Sequence, residues 1–328
     1  MTGARMARAF WVCEPGRGEI RTGPIGPAGD GDVCVRTLWT GISRGTECLV
    51  FRGQVPPSQY RAMRCPFQEG DFPAPVKYGY AAVGIVEEGP PGLAGRTVFC
   101  LHPHQDSFIV PAAGVMPLSP RLPPARAVLA ANMETALNGV WDAGIGPGDR
   151  VAVVGAGVVG LLVGWLAAGI PGTEVVVIDP DPARAGIVTR LGGTYRKRPP
   201  QPMAGTAFDV VVHASGQPSG LADALAIAGF EATVLELSWY GDALVPLPLG
   251  ENFHAGRLAI RSSQVGAVAP RQRPRWTSAR RLSKALSLLL DDRLDALISG
   301  ESDFDRLPAL MAGLADGSVP ALCHRIRY

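Results

Sequence analysis

The chain has 328 residues, of which 47% are apolar and 18% charged, a globular composition that excludes a disordered chain. Lys plus Arg total 31 and Asp plus Glu 29, a net charge of +2, which excludes an electrostatic case for nucleic acid or an anionic membrane as partner. At about 100–200 residues per domain, two domains are expected.

Along the chain, residues 1–8 carry two arginines, but no apolar stretch follows them, so no signal peptide is read. Short apolar runs at 33–38, 82–87, 97–101 and 108–110, set off by Gly and Pro, predict a β-rich first part. Residues 54–79 form a long Pro-containing excursion of the kind that serves as a lid or binding loop. The six cysteines (Cys13, Cys34, Cys48, Cys65, Cys100 and Cys323) are scattered, with no C-x-x-C pair, and are expected to be reduced thiols of a cytoplasmic protein.

A boundary is expected at 121–124, followed by a helix over about 125–144 and a turn through Gly146-Pro147-Gly148-Asp149. Strands at 151–154, 174–178, 208–213, 232–237 and 258–262 then alternate with helices near 158–169, 182–191 and 218–228. This alternation predicts an α/β fold with a doubly wound parallel sheet. Helices near 278–290 and 304–316 and a strand near 321–327 complete the chain. Residues 151–170 contain no charge and are long enough to span a bilayer. Their glycines at 155, 157, 160, 164 and 169 and their β-branched opening favour a buried strand, turn and helix instead.

That turn carries Gly155-Ala156-Gly157-Val158-Val159-Gly160, the G-x-G-x-x-G pattern between a strand and a helix. The glycines allow a tight turn, close approach of a pyrophosphate and close helix–strand packing. The helix N-terminus offers free N–H groups to phosphate. The next strand ends in Asp179, placed to bind ribose hydroxyls and to repel a 2′-phosphate, so NAD is expected over NADP. Arg184 lies nearby in the sequence and weighs slightly the other way.

The order of a β-rich part, a dinucleotide-binding part and a return resembles the medium-chain dehydrogenase/reductase superfamily, which includes zinc alcohol dehydrogenases. The marks are Gly41-Ile42-Ser43-Arg44-Gly45-Thr46-Glu47, Lys77-Tyr78-Gly79-Tyr80-Ala81-Ala82-Val83-Gly84, and Glu134-Thr135-Ala136 leading to Gly148-Asp149-Arg150-Val151. The wording of the first two is also similar to the bacteriochlorophyllide hydroxyethyl dehydrogenase branch, whose members oxidise a 1-hydroxyethyl side chain. The resemblance implies a GroES-like catalytic domain over 1–122 and 266–328, a Rossmann domain over 123–265, and a homodimer through the sheet edge near 258–268. Where zinc members keep Cys and His ligands, this chain has Ser43 and Tyr80, and the four-cysteine structural lobe is missing. The resemblance therefore implies a member without zinc.

Without a metal to polarise the substrate oxygen, another group must exchange its proton. Thr46 matches a family hydroxyl that relays that proton, or it bonds its own loop. Tyr80 and Ser43 occupy the vacated ligand positions, as proton donor and partner or as filler. His102, which would titrate near neutrality if unperturbed, and His104 follow the strand at 97–101, where the family has substrate-pocket residues; either could equally cap a loop. Glu134 lies where some members supply a further ligand and is assigned to the substrate pocket. The resemblance places Arg44 on the cofactor pyrophosphate and Thr135 on the nicotinamide side. Ser215, Ser238 and Trp239 follow Rossmann strands and are expected to border the cofactor, and Tyr240 the substrate. The basic stretch 270–281 could hold an anionic substrate tail or be a polar surface loop, and the Arg196–Arg198 run reads as a solvated loop.

The expected activity is an NAD-dependent, zinc-independent interconversion of a secondary alcohol and a ketone on a side chain of a ring-containing or polar small-molecule metabolite. The alternatives are a zinc-less NAD(P)H-dependent reductase of activated double bonds and a non-catalytic nucleotide-binding redox sensor.

Overall fold

In a computed structural model, which describes residues 5–200 and 207–328, the chain forms two units. One comprises Met1–Ala131 and Leu286–Tyr328, the other Asn132–Ala285. Strands β1 (Arg5–Glu14) and β2 (Arg17–Ile25) form an antiparallel ribbon that turns at Gly16, whose φ of 81° suits glycine. Strand β3 (Asp32–Ile42) leads into helix α1 (Arg44–Phe51). The excursion after it is not structureless. It contains a 3-10 turn at Pro57–Gln59 and strands β4 (Glu69–Gly70) and β5 (Val76–Lys77), and Val76 pairs with Val12 of β1. Strands β6 (Ala82–Glu88), β7 (Thr97–Cys100), β8 (Ser107–Pro111) and β9 (Val115–Pro117) and helix α2 (Pro124–Ala127) follow.

The second unit begins within α3 (Ala130–Ala143), so the single helix expected over 125–144 is broken in two. It continues through β10 (Arg150–Val154), α4 (Val158–Ala168), β11 (Glu174–Ile178), α5 (Ala185–Arg190), β12 (Thr194–Arg196) and β13 (Phe208–His213). Helix α6 (Pro218–Ile227), strands β14 (Ala228–Glu236) and β15 (Ala259–Ser262) and helix α7 (Ser278–Leu288) complete it. The six strands pair in the order β12-β11-β10-β13-β14-β15, every pair parallel. Buried Ala152, Val211, Leu225 and Val234 pack in its core, as expected for strands covered by helices. The uncharged run of 151–170 is β10, the glycine turn and α4; among the described residues no helix is long and apolar enough to cross a membrane.

The chain returns through β16 (Ile298–Asp303), α8 (Leu307–Asp316) and β17 (Cys323–Arg327). Strand β17 pairs with β3, completing a sheet ordered β16-β17-β3-β6-β7-β9, with β8 also on β3. The units change over at 131/132 and 285/286, rather than at the expected 122/123 and 265/266. The later second changeover has a physical cause. Arg281, only 2% exposed, binds Glu134 and Asn138 of α3 and so ties the start of α7 to the second unit.

Candidate functional site

In the first unit, the chemistry gathers where β3 meets α1. Ser43 is the N-cap of α1, yet its side chain does not cap the helix. Glu47, one turn on, takes that place, its Oε1 accepting from the Ser43 backbone N–H at 2.7 Å. The Ser43 and Thr46 hydroxyls both lie close enough to the Tyr80 phenol to favour its ionised form, against the burial that opposes it. Burial pushes the Tyr80 phenol well up, and the nearby Glu47 carboxylate pushes the same way, so the phenol holds its proton at neutral pH. Ser43 and Thr46 from one motif and Tyr80 from another are thus brought together. Arg44 begins α1 and is exposed.

A buried chain of hydrogen bonds lies beneath them. Glu47 Oε2 accepts from His104 Nε2 at 2.8 Å, and His104 Nδ1 lies 2.6 Å from Thr40 Oγ1. Thr40 Oγ1 is in turn 3.2 Å from the Tyr328 hydroxyl. The two ring nitrogens of His104 thus bridge Glu47 and Thr40. His104 is therefore a buried linker, 1% exposed, rather than a residue lining an open pocket.

His102 does not titrate near neutrality. Its ring is buried, stacked 3.9 Å from Phe108, and its Nδ1 donates to the Pro103 carbonyl at 2.9 Å. Burial lowers its pKa to about 3. The imidazole is a neutral element of the core, because an apolar stack penalises the cation.

Glu134, expected in the substrate pocket, lies on α3. It is buried and its Oε1 accepts from Arg281 Nε at 2.9 Å. Burial raises its pKa while Arg281 opposes the rise. The positions that the resemblance matches to zinc ligands carry poor zinc donors. They offer a hydroxyl and a protonated phenol, and Glu134 is held by a guanidinium. Among the described residues, no group of three or more His, Cys, Asp or Glu could hold a metal ion.

In the second unit, the turn after β10 has the shape its glycines predict. Gly155 has φ 108°, and a Cβ there would lie 2.6 Å from the Ser215 nitrogen. A Cβ on Gly160 would collide with the Gly155 carbonyl oxygen, whereas the space around Gly157 is open. Gly157 is the N-cap of α4, whose first turn, from Val158 and Val159, presents N–H groups without intrahelical acceptors. The Asp179 carboxylate accepts from Ala156 N–H at 2.7 Å and Asp181 N–H at 2.9 Å, so the acid is fixed beside the turn. Arg184 pairs with Asp181 at 3.2 Å rather than standing alone. Arg196 is registered opposite Ile178, next to Asp179, so the basic run 196–198 begins beside the acid.

The ends of β13 and β14 carry a network that sequence reasoning missed. His213 Nδ1 donates to the Glu236 carboxylate at 2.8 Å, and its Nε2 lies 2.6 Å from Ser215 Oγ. Tyr240 donates to Glu236 at 3.0 Å, and Ser238 Oγ accepts from Gly216 N–H at 3.0 Å. Ser215, Ser238 and Tyr240 are therefore set in one frame, and Tyr240 already has a partner for its proton. Trp239 is half-buried after β14, and Thr135 lies on α3. The available signal was a histidine closing an apolar strand, Val210-Val211-Val212-His213.

No family model matches the chain. D-guloside 3-dehydrogenase of Escherichia coli (strain K12) is 26% identical over 169 residues, 49% of this chain and 48% of that protein. The match thus spans about half the length of this curated relative. L-idonate 5-dehydrogenase from Escherichia coli str. K-12 substr. MG1655 is similar in structure, with a TM-score of 0.80 at 16% identity, covering 99% of each chain. 2R,3R-butanediol dehydrogenase from Bacillus subtilis gives a TM-score of 0.77 at 16% identity, covering 98% of this chain and 99% of its own. An alcohol dehydrogenase of E. coli CFT073, solved with NADH, gives 0.76 at 16% identity over 98% of this chain and 99% of that one. These likenesses establish the fold: a Rossmann sheet with a separate β-rich unit, shared with alcohol dehydrogenases.

Proposed function

We propose that the chain is an NAD-dependent oxidoreductase that interconverts a secondary alcohol and a ketone without zinc. The observation that carries the reading is the Gly155–Gly160 turn with the Asp179 carboxylate bound to its backbone, at the carboxyl ends of a fully parallel sheet. The relatives named above, dehydrogenases of polyols and alcohols, support the reaction class.

A bound nicotinamide supplies the hydride acceptor or donor. The α4 N-terminus and the open space at Gly157 receive the pyrophosphate. Asp179 accepts from the adenosine ribose hydroxyls and disfavours a 2′-phosphate. In reduction the Tyr80 phenol gives its proton to the ketone oxygen while receiving one through the Ser43 and Thr46 hydroxyls, and in oxidation it passes its proton to those hydroxyls as it accepts the alcohol's. Ser43 and Thr46 orient that phenol, and the Glu47 carboxylate assists proton return. Zinc independence follows in this reading from the donor set, because Ser43 and Tyr80 make a proton-transfer pair and a poor zinc site.

The test uses the full chain purified without added metal, with metal content read by elemental mass spectrometry. Secondary alcohols are supplied with NAD⁺ or NADP⁺ and reduced cofactor is measured. Turnover with NAD⁺ at negligible metal content is the expected result. Stoichiometric zinc whose removal abolishes turnover overturns the zinc-free mechanism. Tight cofactor binding without hydride exchange across alcohols and ketones overturns the enzymatic reading.

A further inference from the structure

The basic stretch at 270–281 divides into two roles. Arg281 is internal. Besides Glu134 and Asn138 it binds the carbonyls of Val265 and Ala267, and Ala269 N–H donates to Asn138 at 3.0 Å. It fastens the segment after β15 to α3. Arg271 and Arg273 instead line, with Arg261 of β15, a cavity of about 540 Å³ within the second unit.

Arg261, Arg271 and Arg273 are all exposed at this open cavity, so water screens their mutual repulsion and an anion joining them relieves what remains. Among the described residues, none of the three is ion-paired with a carboxylate. Arg261 donates one N–H to the Asp142 carbonyl at 2.9 Å, and Arg273 one to the Val268 carbonyl at 2.7 Å. Each is thereby oriented with further N–H donors unused. The lining contains one carboxylate, Asp142, which is buried and accepts from Asn138 and from Ser263 at 2.9 and 2.7 Å. Three cations and one anion leave the lining at 3 − 1 = +2. Trp141 forms an apolar wall. It packs on Trp276 at 4.8 Å, and Arg280 lies over Trp276 at 4.1 Å, so the indole is held in place.

We propose that this cavity binds a small anionic molecule, with a phosphate or carboxylate group on Arg261, Arg271 and Arg273 and an apolar or flat part against Trp141. Planar guanidinium forks match such oxyanions in a way that a point charge does not. The anion is either a group on the redox substrate or a separate effector, and both present the same chemistry.

The test titrates the full chain with inorganic phosphate and pyrophosphate by calorimetry, with and without NADH to occupy the glycine turn. Saturable binding that persists with NADH, and that weakens about tenfold or more in Arg271→Ala/Arg273→Ala, is expected. Arg261→Gln serves as a second variant should the double one misfold, as judged by circular dichroism. Competitive inhibition of turnover by phosphate assigns the anion to the substrate, and binding without such competition assigns it to an effector; either supports the site. Binding unaffected by the arginine substitutions overturns it. So does a monomer–oligomer shift on arginine substitution with no anion binding, which assigns the arginines to a contact between copies. Failure of NADH to bind leaves the phosphate result standing, so the two readings fail separately.

Discussion

His104 Nε2 lies 2.8 Å from Glu47 Oε2, with both side chains at most 4% exposed. The pair joins two segments distant in sequence, the first helix and the loop after β7. It fixes the Glu47 carboxylate, whose other oxygen organises the start of α1. His104→Ala leaves that buried carboxylate without its ring partner and is expected to cost about 3 kcal/mol, read as a lower urea midpoint. Glu47→Gln, which keeps the shape and one acceptor, should cost clearly less. Equal losses would argue against the pairing.

Tyr80→Phe removes the phenol hydroxyl on which the Ser43 and Thr46 hydroxyls act. If that phenol transfers the substrate proton, kcat falls by about 10²–10⁴ while cofactor affinity changes little. Unaltered turnover in Tyr80→Phe sinks the assignment.

Asp179→Asn should relax the cofactor preference. The amide oxygen can still accept from Ala156 N–H, while Asp181 N–H loses its acceptor and the negative charge is gone. Affinity for NADH should fall and that for NADPH rise, narrowing the ratio by about tenfold. Fluorescence titration with both cofactors reads this directly.

His102 gives the fold an acid-sensitive point. Its folded pKa is about 3 against an ordinary 6.5, with Lys77 and His104 as cationic or titratable neighbours. Between these values the unfolded chain binds more protons than the folded one, so stability falls as pH drops from about 6.5 towards 3. At pH 5 the loss from this group amounts to about 2 kcal/mol. His102→Phe should flatten the decline in Tm between pH 7 and pH 5. An unchanged slope would assign that decline to other groups.

Arg281→Met strands Glu134 in the second unit and should cost about 3–5 kcal/mol. The double variant Arg281→Met/Glu134→Leu should recover a substantial part of it, because no buried charge is then left alone. Additive losses in the double variant would count against the pair as the cause.

The Rossmann unit was legible because its signals are local. The β-branched run at 151–154, the spaced glycines and the acid at 179 sit within one strand–turn–helix–strand segment, and each has one physical reading. The first ribbon escaped notice. Strand β2 reads Arg-Gly-Glu-Ile-Arg-Thr-Gly-Pro-Ile, too polar and too rich in glycine and proline to show alternation, and it is held by pairing with β1. The buried network around His104 was not legible either. His104, Glu47, Thr40 and Tyr328 are joined only by tertiary packing, and a histidine in a Pro-flanked loop gives no sign of where its ring points. His102, two residues earlier, shows the same limit. Its intrinsic pKa suggested a titrating group, and an aromatic stack in the core decided otherwise.

Strand β17 pairs His324 with Ile42 of β3, residues that lie almost at opposite ends of the chain. Residues 132–285 form one uninterrupted stretch, so during synthesis that unit can close its own sheet first. The β-rich unit must hold β3 without β17 until that later strand is made. In that interval the Trp39–Ile42 end of β3 lacks its β17 partner and is a template for any passing strand, while β6 and β8 cover the rest.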